Sequence, residues 1–123
     1  MNIRAVLDTS AMRAYAAGSI AVGELIGEFS DEGAQFGLPV LCLVEAATGA
    51  NPQVLAMLDL LTRHSHAETL PLYPDRWQRT ATAATLYGST ARACAALPVI
   101  DEDAGYVMTT DPDAYPGLDV IGI

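Results

Sequence analysis

Short apolar runs alternate with helix-forming stretches along this chain, and that alternation constrains the fold more than any other feature. Ile3 to Leu7 is a short run with β-branched members that closes on Asp8-Thr9-Ser10. Phe36 to Leu41 enters another extended element, with Pro39 near its start. Thr69 to Tyr73, Tyr106 to Thr110 and Val120 to Ile123 are further strand candidates, and Asp111-Pro112 stops the second of these. Between them lie segments with helix start and stop signals. A Ser or Thr after Leu7 caps a helix that Gly18 closes, and Ser19 opens another through Glu28. Ser30 to Gly33 reads as a turn, and Leu43 to Ala47 as a helix. Pro52 suits the first turn of a helix whose Val54, Leu55, Met57, Leu58, Leu60 and Leu61 make a broad apolar face. Pro74-Asp75 opens a long helix through Trp77 to Tyr87, Gly88-Ser89 breaks it, and Ala91 to Leu97 continues. Strands that alternate with helices predict an α/β fold around a central parallel sheet.

The 123 residues suit one domain, spanning 1–123, with no linker or repeat. Apolar residues make up 51% of the chain, enough for a core without disulfides. No stretch reaches the roughly 20 apolar residues of a membrane span, so no membrane partner is expected. The opening residues lack the longer apolar region of a secretory signal, which points to the cytoplasm. Cys42 and Cys94 sit in apolar segments and read as small buried hydrophobes in a reducing compartment.

The formal charge is −9, with fifteen acids against six arginines and no lysine. Such a surface repels nucleic acid, because phosphate contacts supply most non-specific binding energy. Two routes to RNA remain. A bound divalent ion can bridge acidic protein and acidic substrate, or a basic partner can supply the missing charge.

Ligands of open α/β sheets collect at the carboxyl ends of the strands. Asp8 follows the first strand and Asp111 follows the Tyr106–Thr110 strand. Glu45 comes soon after the Phe36 element, on the opening turn of a helix. Three such carboxylates would select Mg²⁺ or Mn²⁺, and the ion would activate water and stabilise charge on a phosphoryl oxygen. An aspartate between strand and helix also serves as an ordinary N-cap.

Val6-Leu7-Asp8-Thr9-Ser10-Ala11 resembles the opening motif of PIN domains, the fold of VapC-like toxins and related ribonucleases. Val40-Leu41-Cys42-Leu43-Val44-Glu45-Ala46 resembles the second acidic motif of that family, and Val107-Met108-Thr109-Thr110-Asp111-Pro112 its late motif. The resemblance spans essentially the whole chain and implies a PIN-like α/β/α sandwich. It further implies a metal-dependent endoribonuclease, with Asp8, Glu45 and Asp111 holding Mg²⁺ or Mn²⁺, and an antitoxin protein as inhibitor. The chain departs from the pattern at one place. Gly88 to Ala93 has no acid where the family usually has an aspartate, and Ser89 or Thr90 is the nearest equivalent.

Asp101-Glu102-Asp103 offers either a compensating acid or a solvated acidic loop. Thr9 and Ser10 are candidates to order water or phosphate, or simply to cap the helix. Arg92 is a candidate phosphate contact or a surface residue. His64 and His66, two apart, do not share a helical face and read as loop. Tyr73, Trp77 and Tyr87 read as core or interface. The helices after Ala11 and around Val22, Leu25 and Ile26 present apolar faces suited to a second copy of the chain or an antitoxin helix. Two functions therefore stand side by side: the ribonuclease, and a PIN-fold protein-binding module with weak or no catalysis. A receiver-like phosphoacceptor would need a late lysine, and the chain has none.

Overall fold

The computed structural model describes residues 3–123. Its five strands are all parallel and ordered β3-β2-β1-β4-β5, where β1 is Ile3–Leu7, β2 Gln35–Pro39, β3 Ala67–Leu70, β4 Ala104–Thr109 and β5 Val120–Gly122. The helices among the described residues are α1 (Thr9–Ala16), α2 (Ile20–Asp31), α3 (Val40–Ala47), α4 (Pro52–Thr62), α5 (Trp77–Tyr87) and α6 (Thr90–Ile100). Side chains of neighbouring strand residues point to opposite faces. Ala5, Val6 and Leu7 are all fully buried, so helices cover both faces of β1. An all-parallel sheet requires that double cover. The expected α/β sandwich is therefore what forms.

The chain leaves β1 toward β2 and β3 on one side, then crosses back to place β4 against the other edge of β1. The direction of winding switches between β1 and β4, and a crevice opens at their carboxyl ends. Leu7 pairs with Met108 there, and the Asp8 amide donates to the Met108 carbonyl at 3.2 Å.

Several boundaries differ from the sequence reading. Pro39 ends β2 instead of lying near the start of a strand, and α3 begins at Val40. Proline has no N–H to carry the ladder further, and Pro39 is at the same time the N-cap of α3. Glu45 accordingly sits in the second turn of α3, not the first. Ser30 and Asp31 belong to α2, so the turn after it is shorter than expected. The third strand is Ala67–Leu70, ahead of Thr69–Tyr73. Pro74–Arg76 forms a separate 3₁₀ turn before α5. The last helix runs through Pro98 to Ile100.

Val22 and Ile26 pack into the core, so the outer face of α2 is not the apolar surface expected of it. Exposed large apolar side chains lie at Val44, Leu55 and Leu60, and on α2 only at its first residue, Ile20. Tyr73 and Trp77 are also exposed, Trp77 by 66%, whereas Tyr87 is buried. His64 and His66 are half-buried: His64 meets the Phe36 ring edge-on, and His66 lies 3.1 Å from Ser30 Oγ. No helix among the described residues is long and apolar enough to cross a membrane.

Candidate active-site cleft

The crevice between β1 and β4 holds a cavity of about 120 Å³ lined by Asp8, Thr9, Ser10, Arg13, Glu45, Arg92, Asp111 and Tyr115. Asp8, Glu45 and Asp111, far apart in sequence, thus share one cleft. Each arrives by a different element: Asp8 from the end of β1, Glu45 from α3, and Asp111 two residues beyond β4.

Asp8 is buried and is itself the N-cap of α1, a role the sequence also allowed Thr9 and Ser10. Its Oδ1 accepts from the Ala11 amide at 3.0 Å and from Ser10 Oγ at 2.6 Å. Its Oδ2 accepts from the Tyr115 hydroxyl at 2.8 Å. Both oxygens are therefore engaged by the chain's own donors. Tyr115, 1% exposed, stacks obliquely on Tyr87 with ring centroids 6.0 Å apart. Burial, reinforced by the Asp8 charge, pushes the Tyr115 phenol far above its ordinary 10.0, so it stays a donor.

Ser10 ties the two sides of the crevice together. Besides donating to Asp8, its hydroxyl accepts from the Thr110 amide at 2.9 Å. The Asp111 amide in turn donates to Thr109 Oγ1 at 3.0 Å, which fixes the chain as it leaves β4. Thr9 is buried against Cys42, whose thiol burial pushes up to about 12 and keeps inert. Cys94 is half-buried, and both cysteines are free.

Ser89 does not reach the cleft. Its hydroxyl accepts from the Arg92 amide at 3.1 Å and caps α6. The α6 residue that lines the cavity is Arg92, whose Nη2 lies 3.5 Å from Asp111 Oδ2. Arg13, on α1, donates from Nη2 to the Glu45 carbonyl at 3.1 Å. The Glu45 side chain is exposed. Asp101 lies at the opposite end of α6, paired with Arg79 and Arg76, so it supplies no acid to this cleft. Asp103 and Glu102 lie at that same end, near the start of β4.

As arranged, this donor set does not fit a divalent cation. One acid already accepts three hydrogen bonds across both its oxygens, another faces a guanidinium, and two arginines stand among the three carboxylates. Among the described residues, no group of three Asp, Glu, His or Cys side chains is placed to share a metal ion. Mg²⁺ wants hard oxygen donors free to coordinate and usually several retained waters.

The chain superimposes on VapBC2 from Rickettsia felis, solved bound to a DNA fragment from their promoter, with a TM-score of 0.67. The match covers 98% of this chain and 99% of that one at 14% identity. The fold is PIN-like. PAE2754 from Pyrobaculum aerophilum aligns at a TM-score of 0.62 and 17% identity, over 96% of this chain and 83% of that one. No protein-family model and no curated protein matches the chain. A PIN-like fold shared at such low identity leaves the chemistry of the cleft to be argued from its own residues.

Tyr115 and the placement of Arg92 were not found from sequence. A tyrosine after Pro112-Asp113-Ala114 carries no local sign of reaching Asp8. Helical phase was the signal available for Arg92, which stands three residues past the Ser89 cap.

Proposed function

We propose that this chain is a PIN-fold protein of the toxin–antitoxin type that acts as a protein-binding module, with its acid cleft weak or silent toward metal-dependent RNA cleavage. The observation that carries this reading is the commitment of the acids to the chain's own donors, Asp8 to Tyr115, Ser10 and Ala11, and Asp111 to Arg92. The partner is an antitoxin-like protein. VapBC2 was solved on DNA, and an assembly on DNA needs positive charge that this chain, at −9, does not have. The exposed Ile20, Val44, Leu55 and Leu60 offer apolar contacts to such a protein. Two free cysteines support a reducing cytoplasm as its compartment.

The convergence of Asp8, Glu45 and Asp111 favours a second reading, the metal-dependent endoribonuclease. There the three acids would hold Mg²⁺ or Mn²⁺, with Thr9 and Ser10 beside them. A bound ion would supply an activated water and charge stabilisation at phosphorus.

One assay separates the two. Structured and single-stranded RNA are incubated with wild-type protein and the Asp8→Asn variant, each with Mg²⁺, Mn²⁺ or chelator. The binding-module reading expects at most trace cleavage from wild type, without turnover. Multiple-turnover, metal-dependent cleavage that Asp8→Asn abolishes would overturn it in favour of the ribonuclease.

A further inference from the structure

The cleft has a feature that neither function requires: a cation of its own, held on a helix that disfavours it. Arg92 is the third residue of α6, its amide capped by Ser89. The positive end of the helix dipole lies there, and a guanidinium in the first turn is on the wrong end. Nothing in α6 itself accounts for a cation at this position. Across the cleft, Asp111 does, at 3.5 Å. The side chain also folds back over Gly88, with Nη1 3.5 Å from where a Cβ there would sit. Two of the chain's six arginines, Arg92 and Arg13, line this one small cavity. With three carboxylates they leave it a single net negative charge.

We infer that Arg92 is a built-in counter-cation, standing in the acid cleft in place of a divalent metal and excluding one by charge and by occupation. Tyr115 completes the exclusion by holding the second Asp8 oxygen. This inference rests on the binding-module reading and explains why the cleft is silent. Asp111 answers Arg92, and Asp8 is held by Tyr115, Ser10 and Ala11, so neither needs a metal to be satisfied.

The test is to remove the cation and ask whether metal returns. Wild type, Arg92→Gln and Arg92→Asp are titrated with MnCl₂ and MgCl₂ by calorimetry, and their thermal transitions are followed with and without metal. Wild type should give no saturable isotherm and no metal-dependent shift in Tm. Arg92→Gln removes one positive charge and should bind Mn²⁺ measurably. Arg92→Asp reverses it and should bind at least about tenfold tighter than Arg92→Gln, since a full charge a few ångströms away dominates cation affinity. Arg92→Asp should also melt lower than wild type in chelator and recover with Mn²⁺, because four carboxylates repel one another until an ion joins them.

If wild type itself binds Mn²⁺ tightly, the binding-module reading falls, and this inference with it. If wild type is silent and neither variant gains affinity, the inference alone is overturned. Should Arg92→Asp fail to fold in metal-free buffer, Arg92→Gln decides: a gain in Mn²⁺ affinity supports the counter-cation, and no gain sinks it.

Discussion

Tyr115 and Asp8 meet at 2.8 Å in the interior although 107 positions separate them. The bond satisfies a buried carboxylate, and losing one partner of such a group costs about 1–3 kcal/mol. Tyr115→Phe should therefore lower stability by about that amount at neutral pH, measured by urea denaturation. The phenol's folded pKa is raised above its ordinary 10.0. Its contribution is thus complete below pH 10 and is lost as the pH climbs toward the folded value. Tyr115→Phe should flatten the alkaline limb of the stability curve and remove a tyrosine ionisation that accompanies alkaline unfolding. An unchanged alkaline limb would refute the assignment. At this scale the sequence was partly legible. Asp8 and Asp111 stood out because a strand end followed by an acid is a local pattern, and Glu45 because it enters a helix soon after an apolar run. Tyr115 did not, because its role exists only after the sheet brings β4 beside β1. Ser89 drew attention as the polar residue nearest a missing acid. Reach decides otherwise: the short Ser89 side chain turns back to accept from the Arg92 amide, while the long Arg92 side chain extends to Asp111. The hydroxyl closes the helix and the guanidinium reaches the cleft.

At the scale of elements, the strands nearest the crevice were the most legible, and the stretch from Gln35 to Ala47 the least. β1 was found with its observed bounds, and β4 shifted only slightly toward its start. From Phe36 to Val44, however, the chain is apolar almost throughout. A buried strand and a buried helix look alike in such a run, because neither periodicity shows when every face is covered. Pro39 divides them, and its meaning comes from the ladder it ends. Close approach between strands gives a sharper prediction. A Cβ added at Gly105 would lie 2.9 Å from the Arg4 carbonyl oxygen, a backbone atom of the neighbouring strand that has little freedom to move. At Gly37 the nearest atom, 2.8 Å away, is the Leu70 Cδ1, the far end of a flexible side chain. Gly105→Ala should therefore cost about 1–3 kcal/mol and Gly37→Ala distinctly less, as overpacking depends on what can yield. Equal losses in parallel denaturation curves would contradict this account of the β1–β4 contact.

For the whole molecule, electrostatics decide more than shape does. The charge of −9 was read from sequence as an obstacle to nucleic-acid binding, and the positions of the arginines make that obstacle stronger. Arg4 pairs with Glu32, Arg63 with Asp59, Arg76 and Arg79 with Asp101, and Arg92 with Asp111. Arg13 donates to the Glu45 carbonyl. All six arginines are thus engaged within the protein, and no basic patch is left among the described residues to meet a phosphate backbone. Exposed pairs of this kind add little stability, about 0–1 kcal/mol each, but every one broken for a phosphate returns an unpaired acid to the interface. Non-specific duplex binding ordinarily falls at a Kd of roughly 10⁻⁴–10⁻⁶ M and weakens steeply with salt, because cations replace counterions on the nucleic acid. This chain has no such exchange to offer. Fluorescence anisotropy of labelled duplex DNA and single-stranded RNA should accordingly stay flat as the chain alone is added up to ~100 μM near physiological salt, at the weak end of that range. Lowering the salt should not restore binding, since the interaction it unscreens is repulsive. Adding a basic partner protein that binds the chain should place the complex on DNA, with a salt slope set by the partner's cations. Saturable, salt-sensitive binding by the isolated chain would mean that some of these ion pairs open to receive phosphate, and the division of charge between this chain and its partner would have to be abandoned.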